Sequence, residues 1–139
     1  MNDEFKGEVL PSSGGEVVLR RDLEMTRGPY TLKKGETLVV DFGQNCAGVP
    51  EFVFSARRGT VLTGLPAEML NDADKGVRGC DGPKGSVYRA NLRASARSMR
   101  VRYTFSGEGR ETYHPRFTFY GYRYLSLTAT DDVEIERVT

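Results

Sequence analysis

Apolar residues recur at every second position along most of this chain, and sixteen glycines and six prolines interrupt the pattern at short intervals. Side chains of a strand alternate between two faces, so this pattern predicts an all-β chain of short strands, folded as an antiparallel two-sheet β-sandwich of jelly-roll type. Met99-Arg100-Val101-Arg102-Tyr103-Thr104-Phe105 is the clearest case, with odd positions apolar and even positions polar. Further strands are expected over Glu16–Arg21, Glu36–Phe42, Val49–Ala56, Thr60–Leu65, Ser86–Leu92, Arg100–Ser106, Pro115–Tyr120, Tyr122–Thr128 and Val133–Val138. Residues 1–15 read as a flexible lead-in, and residues 16–139 as one sandwich domain. Asn71–Gly85, rich in glycine and without periodicity, reads as a long surface loop.

Several function classes find no footing. A chain of 139 residues supports one core, and its mean hydropathy of −0.47 is that of a globular protein. Its longest apolar runs fall far short of the roughly 20 residues of a membrane-spanning helix, so no membrane partner is expected. The formal charge is +1, which gives no overall field for nucleic acid, and the local cluster Arg89, Arg93, Arg97, Arg100 and Arg102 reads as a solvated strand face. Cys46 and Cys80 lack the spacing of a metal or redox motif; each reads as a small buried or half-buried thiol, and one disulfide between them stays open.

No catalytic residue, metal ligand or cofactor is assigned. The single histidine, His114, has no nucleophile-elbow serine or cysteine to serve. Asp72-Ala73-Asp74-Lys75-Gly76 departs from a calcium loop, because its glycine comes one place early and no glutamate closes it. Glu68 is the most unusual carboxylate, set among Pro66, Ala67, Met69 and Leu70. A buried ion pair with Arg93 or Arg123 is the structural expectation for it. A glycosidase reading would need Glu68 to share a cleft with a second carboxylate such as Asp41 or Glu111.

The aromatic run Phe117-Thr118-Phe119-Tyr120-Gly121-Tyr122-Arg123-Tyr124-Leu125-Ser126-Leu127 is the richest site candidate. Strict alternation puts Tyr120, Tyr122 and Tyr124 on one face and Phe117, Phe119, Leu125 and Leu127 on the other, with Arg123 among the apolar residues. Either Gly121 marks a bulge, or Arg123 is buried and paired. Tyrosines in a row suit sugar rings; they equally suit cross-strand packing or a face covered by another domain.

Three stretches in order carry a resemblance. Val40-Asp41-Phe42-Gly43-Gln44-Asn45-Cys46-Ala47-Gly48, then Ala67-Glu68-Met69-Leu70 with Tyr88-Arg89-Ala90-Asn91-Leu92-Arg93, and then Tyr113 to Tyr124 resemble the concanavalin-like β-sandwich domain of bacterial α-L-rhamnosidases, glycoside hydrolase family 78. The resemblance implies a parent enzyme that removes terminal L-rhamnose and whose acid and base lie in an (α/α)6 barrel. No helical-hairpin repeat is found before Thr139, so the expectation is an accessory domain without catalytic residues of its own. Its expected partner is that barrel, docked near Glu68, Asn91, Arg93 and Tyr122–Tyr124. The alternative is a carbohydrate-binding module that holds rhamnosides through Tyr120, Tyr122 and Tyr124.

Overall fold

A computed structural model of the chain describes residues 8–10, 20–21, 30–71 and 81–139. Its strands are β1 (Glu8–Leu10), β2 (Arg20–Arg21), β3 (Tyr30–Leu32), β4 (Leu38–Gly48), β5 (Phe52–Ala56), β6 (Val61–Ala67), β7 (Met69–Leu70), β8 (Val87–Tyr88), β9 (Val101–Thr104), β10 (Glu111–Tyr113), β11 (Tyr120–Ala129) and β12 (Val133–Val138). One short helix, α1, covers Ala94–Ser98.

The strands pair antiparallel in a six-stranded sheet of order β2-β1-β4-β11-β6-β9, a four-stranded sheet of order β10-β5-β12-β3, and the small ribbon β7-β8. The two large sheets enclose the core. Leu38, Val40, Phe42, Leu62, Val101, Tyr122, Leu125 and Leu127 come from one sheet, and Leu32, Phe52, Phe54, Val133, Ile135 and Val138 from the other. This is the two-sheet sandwich that the sequence predicts. Met99–Phe105 behaves as its alternation requires: Val101 and Phe105 are buried while Arg100, Arg102 and Thr104 are exposed.

Differences cluster where turns and bulges decide the outcome. Pro115–Phe119 is not a strand; Phe117 takes a φ of 60°, which ends any extended run. β3, β10 and α1 were not predicted, being too short to display a period. Glu8–Leu10, within the stretch read as a lead-in, pairs with Val39–Asp41 of β4. Residues 1–7 and 11–15 of that lead-in, and most of the expected strand Glu16–Arg21, lie outside the described residues.

The ends of the Asn71–Gly85 stretch are drawn together by Asn71, whose side-chain amide donates to Ser86 Oγ (2.8 Å) and Asp81 Oδ1 (3.0 Å) and accepts from the Asp81 N–H (2.9 Å). Positions 72–80, with the Asp72–Gly76 turn and Cys80, lie outside the described residues. Cys46 is a free thiol, and its Sγ donates to the Tyr122 carbonyl at 3.4 Å.

Candidate functional site

The site is built on the pairing of β4 with β11. Tyr122 stands opposite Cys46 and Tyr124 opposite Asp41, so Phe42–Asn45 of β4 face Arg123 alone. Both strands leave their regular register here. The core-facing set of β11 is therefore Tyr120, Tyr122, Leu125 and Leu127, because one extra residue at Arg123 shifts the parity between Tyr122 and Leu125. On β4, Phe42 and Cys46 point to the core while Gly43, Gln44 and Asn45 protrude.

Asp41 holds this irregularity together. Its carboxylate accepts Arg123 Nε at 2.7 Å and Nη2 at 2.8 Å, a side-by-side pair in which the acid's side chain is 7% exposed and the arginine's 39%. The Asp41 Oδ1 also accepts the Gly43 N–H at 2.8 Å, closing a turn that Gly43 enters with φ of 78°. The Arg123 guanidinium lies 5.0 Å from the Tyr124 ring centroid, a cation–π contact. Neither sequence alternative holds as stated: the register shift lies between Tyr122 and Tyr124 rather than at Gly121, and Arg123 is paired but only half-buried. Its partner is Asp41, not Glu68.

The tyrosines do not form the expected platform. Tyr120 and Tyr122 are 7% and 2% exposed; Tyr122 packs edge-on against Phe42 with centroids 5.2 Å apart, and the Tyr120 hydroxyl reaches the Arg100 carbonyl at 3.4 Å. Burial pushes the Tyr122 phenol well above its ordinary value, with Cys46 and Tyr120 adding to the rise. Burial likewise raises Tyr120 and Tyr124. Rings inside a core cannot stack on a sugar, so the expected row of three surface tyrosines is corrected: Tyr120 and Tyr122 turn inward, and only Tyr124 stays half-buried beside Arg123.

Of the four residues expected opposite the tyrosines, Leu125 and Leu127 are buried and the two phenylalanines are left outside. Phe117 is fully exposed at 106% and Phe119 is 71% exposed. Tyr120 pairs with Gly48 and Gly121 with Ala47, which brings Phe119 toward Val49, itself 36% exposed. On the other side of β11, a side chain at Gly121 would meet Glu68 Oε1 at 3.6 Å. Glu68 is exposed and makes no ion pair among the described residues, which corrects the expected pair with Arg93 or Arg123. Asn91 is also exposed, with its Nδ2 3.8 Å from Sδ of Met69, while Arg93 lies exposed just before α1. One end of the six-stranded sheet thus presents Phe117, Phe119, Val49, Gly121, Glu68 and Met69 to solvent, beside the protruding Gln44 and Asn45. Parity reasoning missed the phenylalanines; the signal available was Arg123 falling on the apolar side.

Among the described residues, both carboxylates considered as partners for Glu68 are engaged elsewhere. Asp41 is spent on Arg123, and Glu111 accepts the Tyr103 hydroxyl at 2.6 Å and the Ser106 and Gly107 N–H groups on the β10 side of the molecule. No cluster of metal-ligating side chains occurs among the described residues. Asp41 and Glu111 are thus both committed to structural contacts.

Comparison with known proteins agrees. Residues 31–139 match the family model described as the bacterial alpha-L-rhamnosidase concanavalin-like domain. An alpha-L-rhamnosidase of Streptomyces avermitilis is 35% identical over 121 residues, covering 87% of this chain and 10% of that protein. One of an Alteromonas species is 31% identical, covering 71% of this chain and 9% of that protein. The crystal structure of the S. avermitilis alpha-L-rhamnosidase complexed with L-rhamnose superposes with a TM-score of 0.54 at 29% identity, covering 91% of this chain and 13% of that one. A GH78 rhamnosidase of Bacillus sp. GL1 shares the fold with a TM-score of 0.56 at 24% identity, over 79% of this chain and 10% of that one. The chain therefore spans about a tenth of the length of the curated relatives it matches.

Proposed function

This chain belongs to the bacterial alpha-L-rhamnosidase concanavalin-like domain family, and from that premise we propose that it is the non-catalytic support domain of an enzyme that hydrolyses terminal L-rhamnose from glycosides. It packs against the (α/α)6 catalytic domain of that enzyme through the exposed end of the six-stranded sheet.

The exposure of Phe117 and Phe119 carries this reading. Leaving a phenylalanine in water forgoes about 1.5–3 kcal/mol of burial, and a left-handed backbone at a bulky residue costs on the order of 1–3 kcal/mol more. A surrounding partner surface offsets both. Domain interfaces within a chain bury about 600–1,500 Å². Gln44 and Asn45 add amide groups at the rim, and Glu68 and Asn91 flank the other side.

The test is the double substitution Phe117→Ser/Phe119→Ser in the full-length enzyme. Rhamnosidase activity or thermal stability of the full-length enzyme should fall, while the melting temperature of the 139-residue chain stays within a degree or two of wild type. An unchanged full-length enzyme counts against docking.

A further inference from the structure

Asp81-Gly82 is the single place in the chain where an aspartate or asparagine is followed directly by glycine. Such a pair is chemically labile. Gly82 has no Cβ to keep its nitrogen away from the Asp81 side chain, so that nitrogen can attack Cγ of the carboxyl group. The N–Cγ bond forms, one Cγ–O bond breaks, and the oxygen leaves as water with the carboxyl and amide protons. Water then opens the succinimide ring at the Asp81 main-chain carbonyl carbon, whose bond to the Gly82 nitrogen breaks while the nitrogen takes a proton. The product is isoaspartate, unchanged in mass, with the main chain routed through Cβ and the carboxylate carried directly on Cα.

The fold makes this glycine hard to replace. A Cβ at position 82 would meet Ser86 Oγ at 2.7 Å and Asn71 Nδ2 at 3.2 Å. Both atoms are committed, because Asn71 Nδ2 donates to Ser86 Oγ and Ser86 Oγ donates to the Pro83 carbonyl at 2.6 Å.

The fold also holds the aspartate. Its Oδ2 accepts the Arg89 N–H at 2.9 Å and the Ala90 N–H at 2.8 Å, and its Oδ1 accepts from Asn71 Nδ2 at 3.0 Å. Asn71 accepts the Asp81 N–H in return at 2.9 Å, and is itself buried, with 1% exposure. Asp81 is exposed, so water reaches it. Ring closure must turn this carboxylate and expel one of its oxygens, which cannot happen with all three bonds in place.

We propose that Asp81-Gly82 is a modification site gated by this clasp, slow to isomerise while Asn71, Arg89 and Ala90 hold the carboxylate and fast once they release it. Isomerisation makes the release permanent, because a carboxylate one bond closer to the main chain no longer reaches both N–H groups. The inference stands on residues other than those of the docking face.

The experiment incubates the 139-residue chain below its melting temperature at neutral pH and counts isoaspartate at position 81 by electron-transfer mass spectrometry. Isoaspartate should form at least about tenfold more slowly in the folded chain than in the chain unfolded by guanidinium chloride, a factor within reach of one hydrogen bond to an ionised carboxylate. That comparison needs no variant. Asn71→Ala, or Asn71→Ser if the alanine chain does not fold, should lose most of the difference when incubated folded. Equal rates in the folded and unfolded wild type overturn the proposal, as does an unfolded chain that forms no isoaspartate. So does a folded Asn71 variant that isomerises as slowly as wild type.

Discussion

Arg123 and Asp41 meet through two parallel hydrogen bonds of 2.7 and 2.8 Å, and this pair fastens two irregular strands at the centre of the six-stranded sheet. The acid comes from the Asp41-Phe42-Gly43-Gln44-Asn45 motif and the arginine from the Tyr120–Tyr124 motif. Two stretches that stand out in the sequence are thus halves of one contact. Its consequence is geometric: the bulge turns Tyr120 and Tyr122 into the core and leaves Phe119 and Gly121 facing out.

Removing either partner should destabilise the chain, and unequally. Arg123→Ala strands a nearly buried carboxylate and should cost about 2–4 kcal/mol, with the half-exposed arginine setting the lower bound. Asp41→Ala leaves a guanidinium that can turn to water and should cost less. Arg123→Lys cannot restore the paired geometry and should recover under half of the loss. Urea unfolding of the variants measures the order directly.

Tyr122→Ser should behave as a core mutation. Its ring fills space against Phe42, and truncation should cost about 3–5 kcal/mol in the 139-residue chain itself. Tyr122→Phe removes only a hydroxyl and should cost under about 1.5 kcal/mol. A Tyr122→Ser variant that melts like wild type would place the ring outside the core.

The Tyr103–Glu111 bond should make stability depend on pH at both extremes. Burial, then the bond to Glu111, holds the Tyr103 phenol at about 12. The unfolded phenol ionises near 10, so this contribution is intact below about 10 and lost as pH rises to about 12. For Glu111, burial opposes ionisation, but hydrogen bonds from Tyr103, Ser106 and Gly107 outweigh it and lower its value. Its contribution is present above the unfolded carboxyl value and is lost as pH falls through the acid range. Melting curves across pH should show both slopes in wild type, and Tyr103→Phe should flatten the alkaline one.

The sandwich was legible because a half-buried strand must alternate, and Val101, Tyr103 and Phe105 do so without interruption. The site was legible in its motifs but not in its faces. Parity propagates along a strand until a bulge resets it, and a bulge is set by tertiary pairing. Arg123 among apolar residues announced that something gave way, yet its partner at Asp41 is 82 positions distant. Glu68 misled because apolar neighbours in sequence need not cover a residue at a strand corner. Phe117 and Phe119 read as sharing a face with Leu125 and Leu127, since alternation alone does not show where a register shift separates them.

Docking around Phe119 is tested by hydrogen exchange on the 139-residue chain and on the full-length enzyme under one condition. Amides of residues 43–49 and 116–121 should exchange more slowly in the full-length enzyme, with those of β12 unchanged. Equal exchange at residues 116–121 in both proteins would contradict it.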